Sequence, residues 1–299
     1  MSGREAKTKP AGDTEGEDAR GFYVYCVGER DALTPLFGEE MPGAIEGERG
    51  LELIEAGGLA AVVSRVPLSD YGEQALTARL TDAAWTATRA IRHERAVEHF
   101  ARRAAVVPLR FGTIYLRREP VAEMLEERGA QLRASLARLD GREEWGLNVY
   151  VERARLREEV TRVSARLREL SERAESSPPG QAYLLRKKID AMRDEETRAE
   201  TKRIASEIED ALAAACDGAA RLRVLKDEAA ERGELAARLA FLVARERFKE
   251  FRAVAERIAE AHAPLGFSFE LTGPWPAYNF VVEDDKEGKR QEAKGKKQK

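Results

Sequence analysis

Apolar residues change their spacing several times along the chain, and each change marks an element. Phe22-Tyr23-Val24-Tyr25-Cys26-Val27 is a continuous β-branched and aromatic run, the pattern of a buried strand. A loop rich in Gly and Pro follows, from Gly28 to Gly50. Residues 51–56 and 59–66 then flank Gly57-Gly58, a two-residue hairpin signal. From Asp82 the spacing becomes three and four. Trp85, Thr88, Arg89, Arg92, Ala96 and Phe100 predict a long helix. Pro108 marks entry to a predicted strand over 106–115, and Glu119-Pro120 opens another helix. The stripe of that helix is Val121, Met124, Leu125, Leu132, Leu136 and Leu139. Together these elements predict an α+β domain over 21–140.

A second domain, over 141–283, begins with a predicted strand at 145–151. Leu156, Val160, Val163, Leu167 and Leu170 then step by 4, 3, 4 and 3, which is a heptad seam. Ser177-Pro178-Pro179-Gly180 must interrupt the helix, because proline removes a donor and disfavours helix in the residue before it. Leu185, Ile189 and Met192 return along the seam. The result is a protruding coiled-coil hairpin over about 155–203, with arms roughly 30 Å long. Past the polar stretch 194–203, Ile204, Ile208, Leu212 and Ala215 form a new stripe suited to packing on a sheet. A short strand is predicted at 222–225, and 235–243 reads as strand or helix on propensity and is taken as strand. A helix with Phe248, Phe251, Val254 and Ile258 inward follows, then strands at 267–271 and 278–282. The order β-α-β-β-α-β plus a terminal strand is the ferredoxin-like split pattern with its first crossover expanded.

Composition narrows the function classes. Of 299 residues 43% are hydrophobic and 35% charged, with a net charge of −3, so no global pull toward nucleic acid exists. No apolar run approaches the roughly 20 residues that cross a bilayer. The first residues are polar and lack a secretory apolar segment, which predicts a cytoplasmic protein with no membrane partner. Residues 1–20 and 284–299 are too charged to offset their ordering entropy and are expected to be disordered. The lysines of the last residues read as a solubilising tail. Cys26 and Cys216 stand far apart, without metal or redox spacing, and read as small hydrophobes.

The search for a reaction centre finds none. Phosphate-binding, dinucleotide-binding, zinc-protease and nucleophile-elbow motifs are all missing. His93 and His99 share a predicted helix, but six residues turn their rings about 120° apart. Carboxylates mostly sit three or four residues from arginines, as solvated ion pairs do. The chain is expected to have no catalytic residue, no cofactor and no metal. Function then has to come from surfaces.

Two segments stand out. One is Val107-Pro108-Leu109-Arg110-Phe111-Gly112-Thr113; the other is Leu271-Thr272-Gly273-Pro274-Trp275-Pro276-Ala277-Tyr278-Asn279-Phe280-Val281. Two prolines fix φ on either side of Trp275 and should end the strand there. The simplest expectation is that Trp275 plugs into the core beside Tyr278 and Phe280. These segments, with the Phe22 strand and the Gly58-Leu59-Ala60-Ala61-Val62-Val63-Ser64 hairpin, occur in one order over about 21–282. In that order the chain resembles the gas vesicle protein F/L family. The Gly273-Pro274-Trp275-Pro276 ending is the most specific part of the resemblance, and Pro108-Leu109-Arg110-Phe111-Gly112-Thr113 the next.

The resemblance implies a non-enzymatic accessory or minor structural protein that supports gas vesicle assembly. Its implied partners are the small, hydrophobic major shell protein and other gas vesicle accessory proteins, and its implied place is the gas-facing side of the shell. Candidate structural or shell-contact residues are Pro108, Arg110, Phe111, Gly112, Gly273, Pro274, Trp275, Pro276, Tyr278 and Phe280. An RNA-binding reading rests on Arg110-Phe111-Gly112-Thr113-Ile114-Tyr115, but it lacks the glycine before Phe111 and a phosphate track, so nucleic acid is disfavoured. A generic coiled-coil scaffold would leave the Gly273-Pro274-Trp275-Pro276 segment unexplained.

Overall fold

A computed structural model describes residues 19–38, 40–48, 50–224 and 233–281. The ends expected to be disordered lie outside these residues except for Ala19 and Arg20, and Arg20 already belongs to the first strand. The fold mixes helices with two antiparallel sheets, and the chain divides into two compact units at Ala137/Arg138.

The first unit opens with β1 (Arg20–Glu29), whose residues 22–28 are all buried, so both faces of the strand are covered. A short α1 (Arg30–Leu33) leads to β2 (Leu51–Ala56) and β3 (Leu59–Pro67). Gly57 and Gly58 have φ of 56° and 80°, the double positive φ that a tight hairpin of right-twisted strands needs. Two short helices absent from the sequence reading follow, α2 (Leu68–Tyr71) and α3 (Glu73–Arg79). Asp82 then caps α4 (Ala83–Ala101), accepting from the amides of Ala84 and Trp85 at 3.0 Å each. The face α4 buries is His93, Ala96, Val97 and Phe100.

The single strand predicted over 106–115 is two, β4 (Val106–Pro108) and β5 (Ile114–Tyr115), separated by a turn. Both pair with β1, and the sheet runs β2-β3-β1-β4 with β5 beside β1. The predicted helix after Pro120 is also two, α5 (Arg118–Glu127) and α6 (Gly129–Leu139), broken at Arg128 just before a glycine. Its six stripe residues are all buried.

In the second unit β6 (Arg142–Val151) precedes the helical excursion α7 (Arg153–Val163), α8 (Ala165–Glu175) and α9 (Pro179–Ala213). The first arm is interrupted at Ser164, whose ψ of 119° is not helical. The second arm and the stripe on the sheet form one continuous helix of 35 residues. Next come β7 (Gly218–Leu222), β8 (Glu234–Ala244), α10 (Phe248–His262) and β9 (Phe267–Trp275). The strand expected at 222–225 thus ends at Leu222, with Leu225 outside the described residues. The antiparallel sheet runs β7-β8-β6-β9.

Period-2 alternation decides what each face of this sheet packs against. Leu147, Val149 and Val151 of β6 share a core with Ala237, Leu239, Phe241 and Val243 of β8. Leu156, Ile204, Ile208, Leu212 and Phe251 close it from the helices. On the opposite face Ala240 and Leu242 pack with Leu139, Ala277 and Phe280. Farther out, Val160, Leu167, Leu170 and Ile189 form a cluster of their own, with Leu185 and Met192 against it. No sheet residue belongs to that cluster, so the outer hairpin is held by its own seam.

Candidate functional site

The Pro108–Thr113 segment is shaped from below by two tyrosines of β1. A bulge between Val24 and Cys26 leaves Tyr25 as the extra residue, and the Tyr23 and Tyr25 rings sit 4.9 Å apart. Pro108 pairs with Cys26, and the Leu109 amide donates to the Tyr25 carbonyl at 2.8 Å. The chain then turns. The Thr113 amide and hydroxyl both donate to the Arg110 carbonyl, at 3.2 and 2.7 Å, and the Val24 amide donates to the Thr113 carbonyl at 2.9 Å. Gly112 has φ of 82°, which a side chain would strain. Its amide donates to the Tyr23 hydroxyl at 3.1 Å.

That hydroxyl also lies 2.9 Å from His93 Nδ1. Having accepted from Gly112, it has its single proton to give to His93, whose own proton then belongs on Nε2. A backbone hydrogen bond with Leu109 suits that tautomer. Burial pushes His93 down to about 4 and the Leu109 bond only partly opposes this, so the ring is neutral at pH 7. Burial likewise raises Tyr23 well above its ordinary range and Tyr25 to about 12. Phe111 completes the cluster, edge-on to His93 at 5.8 Å and to Tyr23 at 6.2 Å. Of the candidate residues here, Pro108 is buried, Phe111 and Gly112 are half-buried, and Arg110 is exposed. The segment is an internally bonded turn with its charged side chain outward.

A neighbouring polar cluster escaped the sequence reading. Arg89 grips Glu46 with two guanidinium nitrogens, at 2.9 and 2.6 Å, and its Nε donates to the Tyr71 hydroxyl at 3.1 Å. Tyr71 itself donates to Glu46, and the guanidinium lies 4.2 Å over Trp85. The only sequence signal was Arg89 and Trp85 sharing one helix face.

In the second unit the Gly273–Phe280 segment corrects two expectations. Trp275 does not plug the core: it is 47% exposed, its indole N–H donating to the Thr272 hydroxyl at 3.2 Å. The reason is register. Trp275 pairs with Glu144 at the last position of β9, past the irregularity between Glu144 and Gly146, and its indole is held by Thr272 instead of by the core. The strand expected at 278–282 is instead a 3-10 turn, Tyr278–Phe280, and Val282 lies outside the described residues. Pro276, Ala277 and Phe280 are the buried members of the segment, while Tyr278 is half-buried. Gly273 has φ of 128° and precedes a cis peptide to Pro274; a Cβ there would meet the Glu144 carbonyl at 3.0 Å.

What turns the chain is a carboxylate that the sequence did not flag. Buried Glu144 accepts from the Asn279 backbone amide at 3.0 Å and from its side-chain amide at 2.5 Å. Burial raises the Glu144 pKa, and the two Asn279 bonds oppose that rise. The clamp seats Phe280 against Ala240 and Leu242, tightly enough that a Cβ on Gly218 would meet its ring at 3.2 Å.

Among the described residues no grouping of His, Cys, Asp and Glu could hold a metal, and no helix is long and apolar enough to cross a membrane. Both candidate segments are turns on a mixed helix-and-sheet protein, closed by internal hydrogen bonds and bearing a few exposed side chains. The GvpL/GvpF gas vesicle synthesis protein model matches residues 21–282, and the chain belongs to that family. It is 31% identical to gas vesicle protein L of Streptomyces sp. (strain CB03234), over 88% of this chain and 94% of that one. Gas vesicle protein F of the same strain is 26% identical, over 87% of this chain and 98% of that one. Among solved structures, GvpF from Anabaena sp. PCC7120 superposes with a TM-score of 0.62, covering 89% of this chain and 97% of that one. GvpF from Microcystis aeruginosa superposes at 0.58, covering 88% and 99%. Both are 15% identical and speak to the fold alone.

Proposed function

We propose that this chain is a non-enzymatic accessory protein that binds the major gas vesicle shell protein and supports assembly at the gas-facing side of the wall. Membership of the family over 21–282 carries the reading. The fold is read as an N-terminal α+β domain over 21–140 and a ferredoxin-like domain over 141–283. The strand order β7-β8-β6-β9, with helices after its first and third strands in sequence, supports the second assignment. The self-packed seam of Val160, Leu167, Leu170 and Ile189 supports a coiled-coil hairpin.

A small hydrophobic shell protein calls for apolar contacts, and the described residues of the first unit expose three large ones: Leu80 at 46%, Ile91 at 54% and Leu116 at 65%. Leu116 directly follows β5, the strand into which the Arg110–Thr113 turn leads, which places that candidate segment near the contact in sequence. Trp275 is the candidate anchor in the second unit, since interface energy concentrates in a few aromatic residues. An RNA-binding reading finds less support, because Phe111 and Tyr115 lie in the first unit and not on the four-stranded sheet. The test is a pull-down of the major shell protein by the full chain. Ile91→Asp and Leu116→Asp should each cut capture at least about tenfold, while the melting temperature stays put. Undiminished capture by both variants, and by Trp275→Ala, would show the contact surface to be elsewhere; no capture by the wild type would sink the reading.

A further inference from the structure

We propose that the outer end of the α8–α9 hairpin is a docking site for an acidic amphipathic helix of a partner protein. Tyr183 and Leu184, adjacent in the second turn of α9, are 57% and 66% exposed. They account for two of the six large hydrophobic side chains left exposed among the described residues. Both lie about 30 Å of helix rise from Ile204, where α9 meets the sheet core. Nothing in the hairpin needs them outward: the seam is filled by Ala182, Leu185 and Ile189 on the opposite face of the same helix.

The surrounding charge selects the occupant. Lys187 and Lys188 stand one turn beyond Tyr183 and Leu184, at i and i+4, and Lys187 Nζ lies 5.4 Å from the Tyr183 ring centroid. Arg186 adjoins them, and the nearest carboxylate on α9, Asp190, is already paired with Arg193 at 3.3 Å. The last turn of α8 carries Glu172, Arg173 and Glu175, so the basic column belongs to α9 alone. Gly180, Leu184, Lys188 and exposed Ala191 continue the face at helical spacing, with small residues at both ends that let a second helix approach closely. A chain with net charge −3 thus presents a basic, apolar-tipped helix face at the end of an arm. An acidic helix with its own apolar stripe complements that face. A second copy of this chain would set lysine against lysine. This proposal is independent of the shell-contact reading, which concerns residues of the first unit and Trp275.

The test uses the full chain and two fluorescent helical peptides of about twenty residues. One has leucines at every third or fourth position flanked by Glu; in the other every Glu is Lys. The Glu peptide should bind, more weakly as salt rises, and the Lys peptide should not. Tyr183→Ser with Leu184→Ser, and separately Lys187→Glu with Lys188→Glu, should each weaken binding at least about tenfold with unchanged helicity and melting. Both pairs are exposed, so folding is not at stake. Equal binding of the two peptides, equal binding by the variants, or no binding at all would overturn the proposal. So would concentration-dependent self-association abolished by the same variants. Retention on phosphatidylglycerol vesicles that the variants lose, without peptide binding, would reassign the tip to a lipid surface and overturn it as well.

Discussion

The Tyr23 hydroxyl sits 2.9 Å from His93 Nδ1 and also receives the Gly112 amide at 3.1 Å. One buried phenol thereby joins strand β1, helix α4 and the turn of the Pro108–Thr113 segment. The arrangement requires a neutral imidazole, since a proton on Nδ1 would face the proton Tyr23 donates. The consequence is a pH dependence with a fixed sign. His93 is depressed to about 4 in the fold against 6.5 in the unfolded chain. Above pH 6.5 neither state is charged there and stability is complete. As pH falls from 6.5 toward 4 the unfolded chain takes up a proton that the fold refuses. The loss approaches about 3 kcal/mol at the low end. His93→Gln removes the titration, so its unfolding free energy, measured by urea titration at several pH values, should fall less over that window than the wild type's.

The sequence places both Trp275 and Phe280 in the core, but only Phe280 is buried, and their truncations separate the two. Trp275 is 47% exposed and keeps one hydrogen bond, so Trp275→Ala should cost no more than about 1 kcal/mol. Phe280 is buried against Ala240, Leu242 and Leu139, so Phe280→Ala should cost about 3–5 kcal/mol. Thermal melts of the two variants settle the order. A larger loss for Trp275→Ala would mean the ring is buried after all.

Much of the fold was readable because its signals are local. The double-glycine hairpin, the buried run of β1 and the stripe of α10 each follow from a few adjacent residues. The run of β8 suits strand or helix by itself, and only the order of its neighbours favours strand. The breaks were not readable. The 4-3-4-3 seam runs across Ser164 without a missed step, and the stripe from Val121 to Leu139 spans Arg128, because a break that preserves facing leaves no trace in apolar spacing. Within the candidate site, Gly112 could be picked out but its partner Tyr23 is 89 residues away. The turn at Tyr278–Phe280 depends on Glu144, 135 residues distant in sequence, where a run of aromatics reads equally as strand.

Ser164 also shows why the polar stretch of α9 is not a solvated face. Its hydroxyl donates to Glu196 at 2.8 Å and accepts from the Leu167 amide, capping α8, while Arg166 reaches the same carboxylate at 3.2 Å. Glu196 is 8% exposed, opposite the break, at the positive end of α8. Glu196→Ala should leave Ser164 and Arg166 unmatched and cost about 2 kcal/mol. Leu167→Asp, next in the seam, should cost several kcal/mol by burying an unpaired charge. Amide exchange across 156–192 should accelerate in both variants while the sheet amides of β6 and β8 keep their protection. If the hairpin amides stay as protected as in the wild type, the joint at Ser164 does not hold the arm.

The Glu144–Asn279 clamp makes the last prediction, and here the sign of the pH effect is opposite to that of His93. Asn279 presents two donors, its backbone and side-chain amides, which suit an ionised carboxylate accepting at both oxygens. Burial outweighs these bonds and raises the Glu144 pKa. A raised carboxyl holds its proton more tightly in the fold than in the unfolded chain. Its contribution is therefore complete below the unfolded value of 4.5 and is lost as pH rises through the folded one. At pH 7 Glu144 still accepts both Asn279 bonds, and removing the carboxylate takes that acceptor from the Asn279 backbone amide. Glu144→Ala should cost about 2 kcal/mol there and speed amide exchange at Asn279 and Phe280 before any other residue of the sheet. Glu144→Gln keeps one acceptor, so it should retain part of that protection while abolishing the acid-side gain. Unchanged exchange at Asn279 in Glu144→Ala would show that the prolines and Phe280 alone fix the turn.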